Sequence, residues 1–347
     1  MTAFKDLRTR AVHLAREACD WRSGAFPVSG VLRGGFTVGA SFLAFRLLGR
    51  VDGAVIAALF TNLLCLADRA RSLRPRLWVM GTGALLSACA GATGASIAGN
   101  HPVILLVVFA LAAFAGFIHG TLPGVEAIPR NAIVCFIAAA YLPIDLPETL
   151  VPLVTGTAFA MIAVWIDHSI RHDVRSPRIA RANEAVVYPG PRFSIAYGTA
   201  AASALGIGLI SGQSRPYWIT ITTLLVMQPD RRANMVRVIQ RFVGTILGVL
   251  LAFAIVKAVP DAMRPTVLLG LALGLPFLWP FGFDRNYGFG VALLSLWILL
   301  LIDLASPPSD IVVPLFFARL SDTAIGCAVA LCGSLFVFET RDAQGEG

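Results

Sequence analysis

The sequence predicts an all-α, polytopic membrane protein of about twelve transmembrane helices, arranged as two tandem six-helix repeats with both termini in the cytoplasm. Three observations lead to this fold. Apolar runs of about 20 residues recur, basic residues concentrate in alternate connections, and short motifs repeat at one spacing. The composition agrees, because 57% of the 347 residues are hydrophobic and only 14% are charged, which leaves too little polar surface for a soluble protein.

The N-terminal segment, residues 1–30, is predicted to form an amphipathic helix on the cytoplasmic side. Between residues 2 and 22, apolar residues recur at intervals of three and four, and lysine or arginine residues lie between them. A helix with one apolar and one basic face suits an anionic lipid surface. A disordered basic tail is the alternative interpretation.

Twelve apolar segments follow and divide the rest of the chain into four parts. These are a first six-helix membrane repeat at 31–170, a basic cytoplasmic linker at 171–192, a second six-helix membrane repeat at 193–338 and a short polar tail at 339–347. The predicted spans lie near residues 31–48, 51–67, 77–98, 101–118, 130–144, 149–168, 193–211, 216–229, 236–258, 265–283, 286–303 and 310–337. Several, notably the second, fifth and eighth, are short or interrupted by proline, and discontinuous helices commonly line cavities in transporters.

The distribution of basic residues determines the predicted orientation. With an internal N-terminus and twelve spans, 22 of the 28 lysine and arginine residues fall in cytoplasmic segments. Five fall in periplasmic loops, and Arg319 falls inside the last span. An excess of basic residues on the cytoplasmic side is typical of membrane proteins, so both termini are predicted to be cytoplasmic.

Short motifs recur at a spacing of 162 residues. Asp68-Arg69 matches Asp230-Arg231, and Pro152-Leu153 matches Pro314-Leu315. Because six spans return the chain to the side where it started, both halves enter the membrane in the same orientation. We therefore expect a pseudo-twofold axis along the membrane normal.

A second, shorter repeat is found inside the second half. The pattern Arg-x-x-x-Thr-x-x-Gly occurs in spans nine and twelve, where it begins at Arg241 and at Arg319. Spans eight and eleven open with similar triplets that end in Tyr217 and Tyr287. Three spans per unit would make these copies inverted, as in many transporters; chance matching of short patterns is the alternative.

Arg319 and Asp322 are charged residues inside the apolar stretch of span twelve. A charge at that depth costs about 3 kcal/mol or more unless it is paired or hydrated. Their spacing of three places them on one helix face, where they can pair with each other. One interpretation is a structural ion pair. The other is a substrate-binding site, in which Arg319 offers its guanidinium to a carboxylate and Asp322 orients it or carries a proton.

Arg241 stands at the cytoplasmic mouth of span nine, one helical turn before Thr245. It is either an anchor that follows from the positive-inside rule or a contact for an anionic substrate. Thr245 offers its hydroxyl to a substrate or to its own helix. Gly244 and Gly248 form a small-residue pair typical of close helix packing. Weaker candidates for substrate binding are Arg215, Tyr217 and Asp230.

Other classes of function find little support. The six cysteines lack Cys-x-x-Cys and metal-ligand spacing, and five lie in apolar runs, so we expect no disulfide, metal or cofactor. The net charge of +8 belongs to connections between apolar runs, which favours membrane topology over nucleic-acid binding. The sequence contains no nucleophile–base pair and no glycine-rich phosphate loop, so an enzyme is not expected.

The stretch from Arg215 to Leu251 resembles the signature of the fusaric acid resistance (FUSC) superfamily. The resemblance rests on Arg215-Pro-Tyr-Trp218, Leu224-Leu-Val-Met-Gln-Pro229, Gln240-Arg241 and Gly244-Thr-Ile-Leu-Gly248, and later on Ala318-Arg319-Leu-Ser-Asp322-Thr-Ala-Ile-Gly326. That superfamily includes bacterial aromatic acid exporters and is similar to the plant aluminium-activated malate channels. Larger members carry a sizeable soluble domain between the halves, where this chain has only residues 171–192.

The resemblance implies a multi-pass transporter of the cell inner membrane that exports small organic or aromatic acids, coupled to the proton gradient. A passive organic-anion channel is one alternative. A non-transporting membrane scaffold or accessory subunit of an efflux assembly is the other. The expected partners are the lipid bilayer, a small organic or aromatic acid, a second copy in a homodimer and a periplasmic adaptor protein.

Overall fold

The structure is a computed structural model that describes residues 12–24, 26, 28–67, 72–119, 125, 127–142, 146–171, 190–213, 215–305 and 312–342. All regular structure within these ranges is helical. Most of the predicted linker at 171–192, the first eleven residues and the last five lie outside the described residues.

The first part of the chain forms a short helix, α1, at residues 12–18 and then six longer helices. These are α2 (Val28–Leu47), α3 (Val51–Ala67), α4 (Leu73–Ser96), α5 (His101–Ile118), α6 (Ala127–Tyr141) and α7 (Leu146–Arg171). Each overlaps one of the first six predicted spans.

The second part repeats this pattern with one helix divided. It contains α8 (Gly190–Ile210), α9 (Tyr217–Val226), α10 (Arg231–Ala258), α11 (Arg264–Gly274), a 3₁₀ turn (Leu275–Phe277), α12 (Trp279–Arg285), α13 (Tyr287–Ala305) and α14 (Val312–Asp342). Helices α11 and α12 together occupy the tenth predicted span.

Within the described ranges, seven helices are long and apolar enough to cross a membrane, and the bent pair α11–α12 adds an eighth if it is one span. Three further apolar helices, α3, α6 and α9, are shorter. They belong to the second, fifth and eighth segments, which the sequence predicts to be short or interrupted. The chain is therefore an all-helical, polytopic membrane protein over the part that the structure describes.

The tenth segment differs from its prediction as one continuous span over 265–283. The helix bends by 41° between Phe277 and Trp279. Pro276 and Pro280 lie on either side of this bend. Proline lacks an amide hydrogen and its ring clashes with the preceding turn, so two prolines four residues apart interrupt the helix here.

Helix packing follows the same order in the two parts of the chain. Helix α4 packs along α6 as α10 packs along α13, and α3 packs on α7 as α9 packs on α14. Between the parts, α5 packs along α8, while α11, the 3₁₀ turn and α12 pack along α2. Each of these contacts in one set of six helices has a counterpart in the other set.

Glycines allow two pairs of helices in the second part of the chain to approach closely. A Cβ added at Gly248 of α10 would lie 2.5 Å from the carbonyl oxygen of Ala292 in α13, and one at Gly326 of α14 would lie 2.8 Å from the carbonyl oxygen of Ile219 in α9. Arg241 and Arg319 each precede one of these glycines by about two helical turns. The close packing therefore brings both arginines against the neighbouring helices α9 and α13.

Residues 12–24 contact the helices of the second part of the chain through hydrogen bonds and ring contacts. The side-chain amide of Asn286 donates to the carbonyl oxygens of Ala18 and Asp20 at 2.9 and 3.0 Å. The ring of Trp21 lies 5.4 Å from that of Phe289 and 6.0 Å from that of Phe281. This N-terminal segment thus covers the junction between α12 and α13.

Candidate functional site

The four residues predicted to bind substrate are all buried on two helices that pack together. The exposed fractions are 3% for Arg241, 0% for Thr245, 5% for Arg319 and 1% for Asp322. At 1.5 Å per residue, Arg241 lies about 15 Å along α10 and Arg319 about 10 Å along α14. Because α10 contacts α14, these side chains form one candidate site.

Arg319 contacts an aromatic ring instead of the carboxylate that shares its helix face. Its guanidinium carbon lies 4.7 Å from the centre of the Trp218 ring. Among the described residues, Arg319 takes part in no ion pair with Asp322, and Oδ1 of Asp322 has no hydrogen-bond partner. Within the described residues the two side chains therefore form no ion pair, although they lie near enough for their opposite charges to attract each other.

Arg241 is buried and forms no ion pair with any described residue. Its Nε atom has no hydrogen-bond partner in the part of the chain that the structure describes. Arg319 lies close enough for the two positive charges to repel each other. The simple interpretation of Arg241 as a membrane-surface anchor does not fit a side chain that is 3% exposed.

Thr245 and Thr323 occupy the same position in the two Arg-x-x-x-Thr-x-x-Gly patterns but differ in hydrogen bonding. The Thr323 hydroxyl donates to the carbonyl oxygen of Arg319 at 2.8 Å, within its own helix. The Thr245 hydroxyl is buried and has no partner among the described residues. Thr245 is therefore the one of the two whose hydroxyl is available to a ligand.

The three weaker candidates separate into two groups. Tyr217 is buried and interacts electrostatically with Arg215 and Arg319, and the guanidinium carbon of Arg215 lies 5.2 Å from the Trp218 ring centre. Both belong to the border of the site. Asp230, by contrast, caps α10 by accepting a hydrogen bond from the amide of Ala233 at 2.7 Å, which is a structural role.

Three residues that the sequence does not single out as binding residues complete the site: Trp218, Arg237 and Tyr287. The guanidinium carbon of Arg237 lies 3.9 Å from the centre of the Tyr287 ring. Nε of Arg237 and the hydroxyl of Tyr287 are buried without hydrogen-bond partners in the described ranges. Two features of the sequence could have indicated Arg237 and Tyr287. Arg237 precedes Arg241 by one turn, and Tyr287 ends a triplet similar to the one that ends in Tyr217.

The charges of the site do not balance. Among the described residues, three guanidinium groups, those of Arg237, Arg241 and Arg319, share the interior with the carboxylate of Asp322. Removing a charged group from water costs several kcal/mol, and a desolvated contact with an aromatic ring returns about 2 kcal/mol. The arrangement suits a bound anion, and a carboxylate matches the paired N–H groups of arginine. The described residues include no cluster of His, Cys, Asp and Glu that could hold a metal ion, and none of the cysteines in the described ranges forms a disulfide.

The first part of the chain has a different cluster near its predicted cytoplasmic side. Thr157 and Ala160 stand where the second part has Arg319 and Asp322. Oδ2 of Asp167 accepts from Arg33 at 2.8 Å and from Arg76 at 3.2 Å. Asp167 is thus paired with two arginines.

The family match covers the helices that build the site. Residues 200–333 match the sequence family described as "Fusaric acid resistance protein-like". The resemblance to the FUSC family is confirmed. The FUSC-like region begins within α8 and ends within α14, so it includes every residue of the site described above.

Curated relatives agree with this match. "Inner membrane protein YccS" of Escherichia coli is 31% identical over 129 residues, which are 37% of this chain and 17% of the relative. An "Uncharacterized protein" of Haemophilus influenzae is 36% identical over 116 residues, or 33% of this chain and 15% of the relative. The matches thus span less than a fifth of the length of these relatives. No solved structure matches the chain.

The cellular location follows from these findings together. The Escherichia coli relative is named an inner membrane protein, and the described residues of this chain contain several apolar helices of spanning length. This FUSC-like chain is therefore a multi-pass protein of the inner membrane.

Proposed function

We propose that this chain is an inner-membrane transporter that exports small organic or aromatic acids by coupling to the proton gradient. The observation that carries the proposal is the pair of buried arginines, Arg241 and Arg319, which form no ion pair within the described residues. The FUSC family match supports a transporter-type, non-enzymatic role. A buried site with an excess of positive charge binds anions, and a guanidinium pairs best with a carboxylate.

The proposed architecture comprises twelve membrane crossings in two tandem six-helix repeats with both termini in the cytoplasm. The corresponding packing order of α2–α7 and α8–α14 supports the tandem repeat. The concentration of 22 of the 28 basic residues in alternate connections supports the orientation. We expect the short helices α3, α6 and α9 to complete crossings, as short helices can where protein rather than lipid surrounds their ends.

Inside the second repeat, the packing supports an inverted pair of three-helix units. Gly248 of α10 approaches the backbone of Ala292 in α13, and Gly326 of α14 approaches Ile219 in α9. The two Arg-x-x-x-Thr-x-x-Gly helices thus each pack on a neighbour that opens with a tyrosine motif. The arginines of both units face the same interior, which is where inverted repeats place substrates in transporters.

In this proposal the substrate and the proton bind to neighbouring side chains of the site. The carboxylate of the substrate pairs with the guanidinium edges of Arg241 and Arg319 and accepts from Thr245. Asp322 carries the proton, because its buried Oδ1 has no hydrogen-bond partner in the described structure and an isolated carboxylate at that depth is costly. Release of the substrate then accompanies transfer of the proton.

Transport by purified protein in proteoliposomes, with benzoate as the probe, tests this proposal. We expect benzoate movement that follows an imposed proton gradient and collapses with an uncoupler. Arg241→Gln should abolish it, while Arg231→Gln, at an exposed arginine on the same helix, should not. Asp322→Asn should retain flux down a benzoate gradient and lose the response to the proton gradient.

The same experiment separates the alternatives. If the wild-type protein carries benzoate down its gradient at a rate that neither a proton gradient nor an uncoupler changes, the passive channel is favoured. Absence of flux for benzoate and for aliphatic acids such as succinate would favour the scaffold or accessory subunit.

A further inference from the structure

We propose that Arg237 and Tyr287 form an outer anion-binding subsite, one helical turn from Arg241, through which carboxylates enter the transport site. The inference rests on the proposed function and adds to it a second place where the substrate is held. Arg237 lies on α10 and Tyr287 at the start of α13, two helices that pack along each other.

The contact between the two side chains leaves hydrogen-bond donors unused. The guanidinium of Arg237 covers the Tyr287 ring, with a distance of 3.9 Å from its carbon to the ring centre. Nε of Arg237 and the Tyr287 hydroxyl are both buried and lack partners among the described residues. Because the hydroxyl lies at the rim of the ring that the guanidinium covers, both donors are within reach of one carboxylate. A purely structural stack would not require two buried donors without acceptors.

The surroundings of this pair are basic. Arg22, Arg130 and Arg241 all lie close enough to Arg237 for charge repulsion. Arg22 belongs to the N-terminal segment and Arg130 to α6, so three separate parts of the chain direct positive charge at this point. Such convergence raises the local concentration of anions and speeds their entry.

Hydrogen bonds of its own backbone hold Arg22 against Arg285. Its amide donates to the carbonyl oxygen of Arg285 at 3.1 Å, and Nη1 of Arg285 donates to the carbonyl oxygen of Arg22 at 2.9 Å. Arg285 precedes Tyr287 by two residues. The N-terminal segment therefore forms one wall of the outer subsite.

The subsite is tested by the concentration dependence of benzoate transport and by calorimetric binding of benzoate to the full-length protein. Arg237→Gln should raise the half-saturating concentration about tenfold, the effect of losing a charged hydrogen bond, with the maximal rate retained because Arg241 and Arg319 are intact. Tyr287→Phe, which keeps the ring and removes the hydroxyl, should raise it by a smaller factor. Arg231→Gln is the matched control and should leave it unchanged.

The outcomes distinguish this inference from the proposed function. If Arg241→Gln abolishes transport while Arg237→Gln and Tyr287→Phe match wild type within twofold, the outer subsite is wrong and the proposed function stands. If Arg241→Gln leaves benzoate transport unchanged, or wild type binds neither benzoate nor succinate, both are wrong. If Arg237→Gln does not fold, Arg237→Lys and Tyr287→Phe are used to test the subsite. A half-saturating benzoate concentration equal to that of wild type in both variants would contradict it.

Discussion

The guanidinium carbon of Arg319 lies 4.7 Å from the centre of the Trp218 ring. The guanidinium lies over the ring, and a cation–π contact of this kind leaves N–H groups of the arginine available to a hydrogen-bond acceptor. The sequence suggested that an ion pair with Asp322 would hold Arg319 in place. In the structure, the contact with Trp218 holds it instead.

The contact predicts that Arg319 is energetically coupled to Trp218 more strongly than to Asp322. In double-mutant cycles, Arg319→Gln combined with Trp218→Leu should show a coupling of about 1–2 kcal/mol. The cycle with Asp322→Asn should show a smaller one, because these two side chains form no ion pair in the structure. Unfolding in mixed detergent measures both cycles. The reverse ranking would contradict the observed side-chain arrangement.

Gly248 is predicted to be intolerant of a side chain. An added Cβ would meet the carbonyl oxygen of Ala292 at 2.5 Å and the Cβ of Ser295 at 2.8 Å, and backbone atoms cannot move aside cheaply. Gly248→Ala should therefore destabilise the protein by about 1–3 kcal/mol through overpacking. Gly270→Ala is the control, since its Cβ would meet nothing within 4 Å and alanine favours a helix by about 1 kcal/mol. Equal melting temperatures for the two variants would be inconsistent with this helix contact.

The positions of the helices are largely predictable from the sequence, and the bend in the tenth segment is not. Apolar runs determine where a chain can be buried in lipid, so the twelve predicted segments overlap the helices observed. Pro276 and Pro280 were visible within the tenth run. Membrane helices accommodate proline when neighbours satisfy the freed backbone groups, so composition alone does not determine whether a proline bends or breaks one.

The site is predictable only in part, because tertiary packing determines which side chains contact one another. Arg319 and Asp322 are conspicuous because charge is rare in apolar segments. Trp218 and Tyr287 are not, because an aromatic residue in a membrane helix is ordinary until tertiary packing places an arginine over it. Helical spacing shows which residues share a face, but it does not show which of two neighbours a flexible arginine contacts.

The N-terminal segment is predicted to stay docked on the protein in solution. Trp21→Ala removes ring contacts with Phe281 and Phe289, each worth about 1 kcal/mol. Trypsin should then cleave after Arg16 and Arg22 roughly tenfold faster than in wild type, because local opening costs less. Trp78→Ala, at a tryptophan that is 61% exposed, should not change this rate. Immediate cleavage of the wild-type protein at these arginines would show that the segment is not docked.

Membrane topology provides a separate prediction for the twelve-span proposal. Reporter fusions after residue 180 and at the C-terminus should both report a cytoplasmic location, while a fusion near residue 306 should report the periplasm. The physical reason is the concentration of basic residues in the connections assigned to the cytoplasm. A periplasmic signal at residue 180 would reverse the orientation of the second repeat.

The final prediction concerns Arg241 and Arg319 as carboxylate ligands. Lysine at either position keeps the positive charge and loses the planar, two-pronged set of N–H donors that fits a carboxylate. Arg319→Lys should therefore weaken benzoate binding by about 1–3 kcal/mol, the scale of a charged hydrogen bond. Folding should be affected less, because an ammonium group can still lie near the Trp218 ring.

Calorimetric affinity and melting temperature, measured on the same purified variant, decide between binding and packing. If Arg319 serves only to hold α14 against α9, Arg319→Lys should lower the melting temperature and leave the affinity of the folded fraction unchanged. If it binds the substrate, the affinity falls while the melting temperature changes little. Wild-type affinity for benzoate in both Arg241→Lys and Arg319→Lys would reject a carboxylate contact at these two residues, because neither variant retains the paired N–H geometry on which that contact depends.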